Sequence, residues 1–196
     1  VLRKACGQMT RWLEEGLVEP DAPMNVNLSA PEISSPDLLS TIEQSLEETG
    51  LSGHNLQVEI TERILITNPD ELERMFDELE SMDVRICIDD FGTGYSSLSY
   101  LRRFRADAMK IDQEFVQGVH RSDQDREIVR AVLRLADNLG LKVVAEGIEA
   151  REQLEALQEL GVRYGQGFLW CEPMSSEAMT DRLRNQIGRA SCRERV

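Results

Sequence analysis

Arg85-Ile-Cys-Ile-Asp-Asp-Phe-Gly-Thr-Gly94 decides the reading of this chain: a short apolar run ends in two carboxylates and a glycine-rich turn. The same design recurs on either side. Apolar runs end at Asn27 in MNVNLS, Glu59 in LQVEITE, Lys110 in AMKID, Glu146 in KVVAEG and Gln166 in YGQGF. Polar residues repeated at the ends of successive strand-like runs converge on one rim of a sheet, where parallel α/β architectures keep their chemistry. The pattern therefore reads as an enzyme.

Strand-like runs are expected near 23–28, 56–61, 84–89, 107–112, 142–146 and 163–168, with helical patterns between them. The clearest helix covers about 123–139, where Ile128, Val132, Leu135, Ala136 and Leu139 share a face and Ser122 with Asp125 resembles a capping box. A second helix start is marked by Asn68-Pro69-Asp70-Glu71. Leu2, Cys6, Met9 and Leu13 form a helical stripe that begins without a capping residue, so the chain is expected to start inside a helix. Strand and helix alternating six times predicts a parallel sheet with right-handed crossovers. A (β/α)8 barrel needs two further units, expected before Val1; an open doubly wound sheet is the alternative.

Composition narrows the chemistry. The 196 residues are 41% apolar, enough for a sizeable core, and carry a formal charge of −14. An acidic surface excludes general binding to DNA or RNA, because phosphate backbones select basic surfaces. No apolar stretch reaches the roughly 18 residues that span a bilayer, and no signal sequence opens the chain, so no membrane contact is expected within it. Cys6, Cys87, Cys171 and Cys192 lack CxxC spacing, and Cys87 inside a strand-like run reads as a small buried apolar residue. A reducing cytoplasm is the expected compartment. His54 and His120 stand alone and suggest no zinc site. The basic run Ile187-Gly-Arg-Ala-Ser-Cys-Arg-Glu-Arg-Val196 abandons the preceding pattern and is expected to be a non-native tail, leaving 1–186 as the domain.

Two carboxylates 4 Å apart repel by up to about 4 kcal/mol at an effective dielectric of about 20. Adding Glu59 and Glu146 to the rim of Asp89 and Asp90 worsens the repulsion, and a divalent cation reverses it. Mg²⁺ and Mn²⁺ take the carboxylate and amide oxygens that these residues and Asn27 offer. Asp90-Phe91-Gly92 is not a kinase motif, since the chain has no GxGxxG loop, catalytic HRD-type loop or VAIK-like strand.

Asn27-Leu28-Ser29, EITE at 59–62, DDFGTGYSSLSYL at 89–101, Lys110-Ile111-Asp112, VVAEGIE at 143–149 and GQGF at 165–168 together resemble the EAL-domain phosphodiesterases that hydrolyse cyclic di-GMP. The resemblance runs through about residues 1–186. It implies a modified TIM-type (β/α)8 barrel whose first strand is antiparallel, incomplete here at about six of eight units. It also implies that Asn27, Glu59 and Asp89 ligate one metal, that Asp89 bridges to a second held by Asp90, and that Glu146 is either a ligand there or the base for the attacking water. Lys110 would sit beside the scissile phosphate, Gln166 would contact substrate or metal-bound water, and Glu62 would hold the loop containing Gly92, Thr93 and Gly94.

The implied reaction is a two-metal, Mg²⁺- or Mn²⁺-dependent hydrolysis of cyclic di-GMP to linear pGpG, inhibited by Ca²⁺ and carried out by a bacterial homodimer. Arg63, Trp170 and Cys171 differ from the residues common in the family, and the naming Glu-Ala-Leu strand is absent from this sequence. The full-length parent is accordingly expected to be active and this segment inactive. Two other functions fit part of the pattern: a non-hydrolysing cyclic di-GMP receptor, and an unrelated enolate-forming or lyase barrel with Lys and acids at strand ends.

Overall fold

A computed structural model describes residues 1–67, 69–92, 101 and 103–187. Asn68, Thr93, Gly94, most of the segment that follows them and residues 188–196 of the basic C-terminal run, including Cys192, lie outside the described residues. Six strands form one sheet: β1 (Met24–Asn27), β2 (Leu56–Thr61), β3 (Arg85–Phe91), β4 (Ala108–Ile111), β5 (Lys142–Ala145) and β6 (Tyr164–Gly165). Their spatial order is β1-β2-β3-β4-β5-β6, and the pairs β1–β2, β3–β4, β4–β5 and β5–β6 are parallel. A doubly wound sheet reverses direction partway, as in the orders 3-2-1-4-5-6 or 2-1-3-4-5, whereas a barrel adds each strand beside the last. The sequential order therefore corresponds to an incomplete (β/α)8 barrel and removes the doubly wound alternative.

The described residues fall into two compact units. The first comprises 1–60, 69–86 and 174–187. Helix α1 (Leu2–Glu14) buries Cys6 and Met9 from the anticipated stripe and lies against α3 (Leu38–Thr49), where the Thr10 hydroxyl donates to the Thr49 carbonyl at 3.1 Å. Helix α2 is the short turn Ala30–Ile33. Asn55 is buried and donates from Nδ2 to the carbonyls of Pro20 and Ala22, at 2.8 and 2.9 Å, which fixes the chain as it enters β1. Ile42, Leu56, Val58, Ile60 and Leu79 fill the core.

The second unit comprises 61–67, 87–92, 101 and 103–173. It includes α4 (Glu62–Thr67), whereas α5 (Pro69–Ser81) belongs to the first and begins on the expected proline. Helix α6 (Gln113–Gly118) follows β4, and α7 (Asp123–Leu139) has the predicted bounds. Ser122 accepts from the Asp125 N–H at 3.2 Å, and Gly140, at φ 73°, ends the helix in the left-handed conformation. The buried stripe of α7 is Val129, Val132 and Ala136; Ile128, Leu135 and Leu139 are half-buried on its flank. The series i, i+3, i+7 that begins at Val129 is thus the centre of the packed face, one residue later than the anticipated start. Helix α8 spans Arg151–Leu160 and α9, in the first unit, Ser176–Ile187.

The anticipated strand at 163–168 is only Tyr164–Gly165. Beyond Gly165 the backbone bonds partly to the loop after β5: Gln166 N donates to Ala145 O at 2.8 Å, Ile148 N to Gln166 O at 3.1 Å and Leu169 N to Ile148 O at 2.9 Å.

Candidate active site

In the first unit, Asn27 and Glu59 are register partners at the ends of β1 and β2. Asn27 is exposed; Glu59 is 2% exposed and accepts from Asn25 Nδ2 at 2.7 Å. The adjacent Leu28 N donates to the Glu59 carbonyl at 2.9 Å, extending the pairing one residue past the strand.

In the second unit, β3 pairs Ile88 with Met109 and Phe91 with Ile111, so Asp89 and Asp90 together oppose the single residue Lys110. Two residues against one is a β-bulge. In a regular strand successive side chains point to opposite faces; here Asp90 adopts φ 54° and its N–H donates to Asp89 Oδ1 at 3.0 Å. Aspartate tolerates this left-handed conformation better than most side chains. The bulge brings neighbouring carboxylates to one place. Oxygen atoms of Asp89, Asp90 and Glu146 lie within 4.8 Å of one another.

Lys110 is only 3% exposed, with Nζ 2.8 Å from Glu146 Oε1 and 3.7 Å from Asp89 Oδ1. A lysine snorkelling at the rim would keep its ammonium in water; this one is buried against carboxylates. Glu146 directly follows β5, and its N–H donates to Ile111 O at 3.1 Å. Gln166 is exposed, and its backbone amide and carbonyl are engaged as described above. Glu62 is 4% exposed; Oε2 accepts from Gly92 N at 3.0 Å, and Oε1 has no partner among the described residues. Gly92 has φ 102°, and a Cβ there would lie 2.8 Å from the Phe115 ring, so the turn after the bulge requires glycine.

Burial, then the charges of Asp89 and Asp112, push the Asp90 carboxyl above the usual aspartate range; Lys110 pulls the other way. Asp112 is a participant to which the sequence reading gave no role. It caps α6 by accepting from Glu114 N at 2.7 Å while facing Asp90. The two-residue step from Lys110 to Asp112 was its signal, since alternate strand positions share a face.

Three carboxylates this close repel by about 3 kcal/mol per pair at an effective dielectric of about 20. One ammonium offsets part of that, and the oxygen-only donors fit a hard divalent cation.

Residues 1–173 match the family model described as the EAL domain. The chain is 38% identical over 184 residues to the Cyclic di-GMP phosphodiesterase NbdA of Pseudomonas aeruginosa, covering 94% of this chain and 23% of that protein. It superposes on the PaMucR phosphodiesterase, solved as a c-di-GMP complex, with a TM-score of 0.86 at 39% identity, covering 91% of this chain and 71% of that one. BlrP1 of Klebsiella pneumoniae, solved as a manganese/cy-diGMP complex, gives a TM-score of 0.76 at 34% identity, with 85% and 42% covered. A calcium/cy-diGMP complex of the same protein gives 0.76 at 35%, covering 85% of this chain and 41% of that one. The chain spans about a quarter of the length of the curated relatives it matches.

Proposed function

Because the chain belongs to the EAL domain family, we propose that its carboxylate cluster holds Mg²⁺ or Mn²⁺ and serves the hydrolysis of cyclic di-GMP to linear pGpG. The observation that carries this reading is the convergence of Asp89, Asp90 and Glu146 around the buried Lys110. Asp89 and Asp90 would hold the ions, with Asn27 and Glu59 as the further ligands that the family implies and Glu146 as either a ligand or the base for the attacking water. When bound, the ions supply Lewis acidity to the attacking water and to the phosphodiester.

The chain's own residues provide the rest. In the role of base, Glu146 would accept the proton of the water as the new P–O bond forms, and the Lys110 ammonium would stabilise the charge that develops on the phosphoryl oxygens. The P–O3′ bond then breaks, and the leaving O3′ takes up a proton from solvent while the proton taken from the attacking water is released to solvent. Glu62, through Gly92 N–H, holds the turn after the bulge and so the backbone of Asp90. Gln166 contacts the substrate from the segment after β6.

Mn²⁺ titration of the chain tests the metal assignment, and chromatography of the products tests turnover in a form extended N-terminally to eight strands. Asp89→Ala should abolish turnover, since the family resemblance makes its carboxylate the one that would serve both ions. Asn27→Ala should mainly weaken metal binding, since Asn27 would serve only one ion. Full activity of Asp89→Ala at ordinary metal concentrations would sink the reading.

A further inference from the structure

We propose that Gln153 is a positioning residue for Glu146, holding through its side-chain amide the loop on which that carboxylate stands; the inference rests on the metal-site reading above. Residues 146–150 connect β5 to α8, and three backbone bonds already fix the first half of this loop: Glu146 N to Ile111 O, Ile148 N to Gln166 O and Leu169 N to Ile148 O. Two glycines press it against its neighbours. Gly147 has φ 67°, and a Cβ there would lie 2.5 Å from Gln113 Cβ; a Cβ on Gly167 would overlap the backbone of Ile148, 2.7 Å from its carbonyl carbon. The second half depends on Gln153. Its Oε1 accepts from both Glu149 N and Ala150 N, each at 2.8 Å.

Helix capping alone does not account for this arrangement. In a capping box the third helical residue bonds the N–H of the capping position, and a Ser or Thr at that position bonds back. Here the capping residue is Ala150, which has no side-chain acceptor, and Gln153 reaches one residue further, to Glu149. Gln153 is also 6% exposed, so a long polar side chain gives up its rotamer freedom to bind the N–H groups of Glu149 and Ala150, whereas a serine at 150 would cap the helix by accepting from the N–H groups of its first turn. The second bond acts on the loop. A carboxylate that serves as ligand or base needs its backbone held to about 0.5 Å, and Glu149 lies three residues from Glu146.

The test compares the 196-residue chain with Gln153→Ala, Gln153→Glu and the double variant Gln153→Ala/Ala150→Ser. Mn²⁺ affinity is measured by calorimetry and thermal stability without metal. Gln153→Ala should weaken Mn²⁺ binding by about tenfold, within the range seen when a ligand's supporting partner is lost, and Gln153→Glu, which keeps a carboxyl oxygen to accept from both N–H groups, should restore it. The double variant should recover thermal stability, because Ala150 has the extended φ −124° and ψ 150° of a capping residue, but not Mn²⁺ affinity. Recovery of both, or an unchanged affinity in Gln153→Ala, overturns the positioning role and leaves the metal site standing. Failure of the unaltered chain to bind Mn²⁺ overturns the metal reading and this inference with it.

Discussion

Asp90 carries two unfavourable terms at once: a left-handed backbone at φ 54° and a carboxyl pushed above its usual range by burial and by Asp89 and Asp112. Conformations of this kind cost about 1–3 kcal/mol and persist where the surroundings over-determine them. The raised value has a definite sign. In the folded, metal-free chain the ionised form is disfavoured, so Asp90 lowers stability above its raised folded value. That loss is recovered as pH falls through the folded value and is gone below the ordinary aspartate value. Asp90→Asn should therefore raise the melting temperature of the metal-free chain at neutral pH, and the increment should shrink on acidification. An increment of equal size at every pH would show that the gain comes from the backbone alone. The convergence of Asp89 and Asp90 was legible in the sequence as a string of acids at a strand end; the bulge that achieves it was not, because alternation along a regular strand would send them to opposite faces, and the unequal register against Lys110 undoes this.

At the scale of elements, α7 was legible because its signals agree: an accepting serine at the start, a left-handed glycine at the end and an apolar stripe between them. The last strand was not, because Tyr164-Gly-Gln-Gly-Phe168 reads as strand by composition while its backbone turns to the loop of Glu146 after two residues. Gly167 shows the difference. What the structure demands of it is space, since any Cβ there would run into the Ile148 backbone. Gly167→Ala should lower the unfolding free energy by about 1–3 kcal/mol, as overpacking does, and should displace the loop that carries Glu146. Urea denaturation measures the first effect and Mn²⁺ affinity the second; loss of neither would mean that the loop yields freely.

For the molecule as a whole, counting strand–helix repeats gave a parallel sheet but left its strand order open between a barrel and a doubly wound sheet, and the division into two compact units left no mark in composition. No described helix is long and apolar enough to cross a membrane. A chain of charge −14 with clustered acids should gain stability from divalent cations beyond simple screening. Mn²⁺ at a hundred times its dissociation constant should add about 2.7 kcal/mol, while NaCl of equal ionic strength should not. Ca²⁺ should also stabilise the fold but fail to support turnover in the N-terminally extended form, because its longer and looser coordination would hold water and phosphate out of line. Equal rates with Ca²⁺ and Mg²⁺ would contradict the mechanism.

The clasp between α1 and α9 bears on the order of assembly. Trp12 Nε1 donates to Thr180 Oγ1 at 2.8 Å, and Arg184 pairs with Glu15 at 2.8 Å, across 168 and 169 residues of chain. Closing a flexible loop of that length costs about 4–5 kcal/mol, whereas a neutral hydrogen bond returns about 1 kcal/mol and an exposed ion pair no more than about 1 kcal/mol. These contacts cannot gather an open chain. They form once the intervening strands have shortened the path between them, which makes α9 a late arrival in folding and an early departure in unfolding.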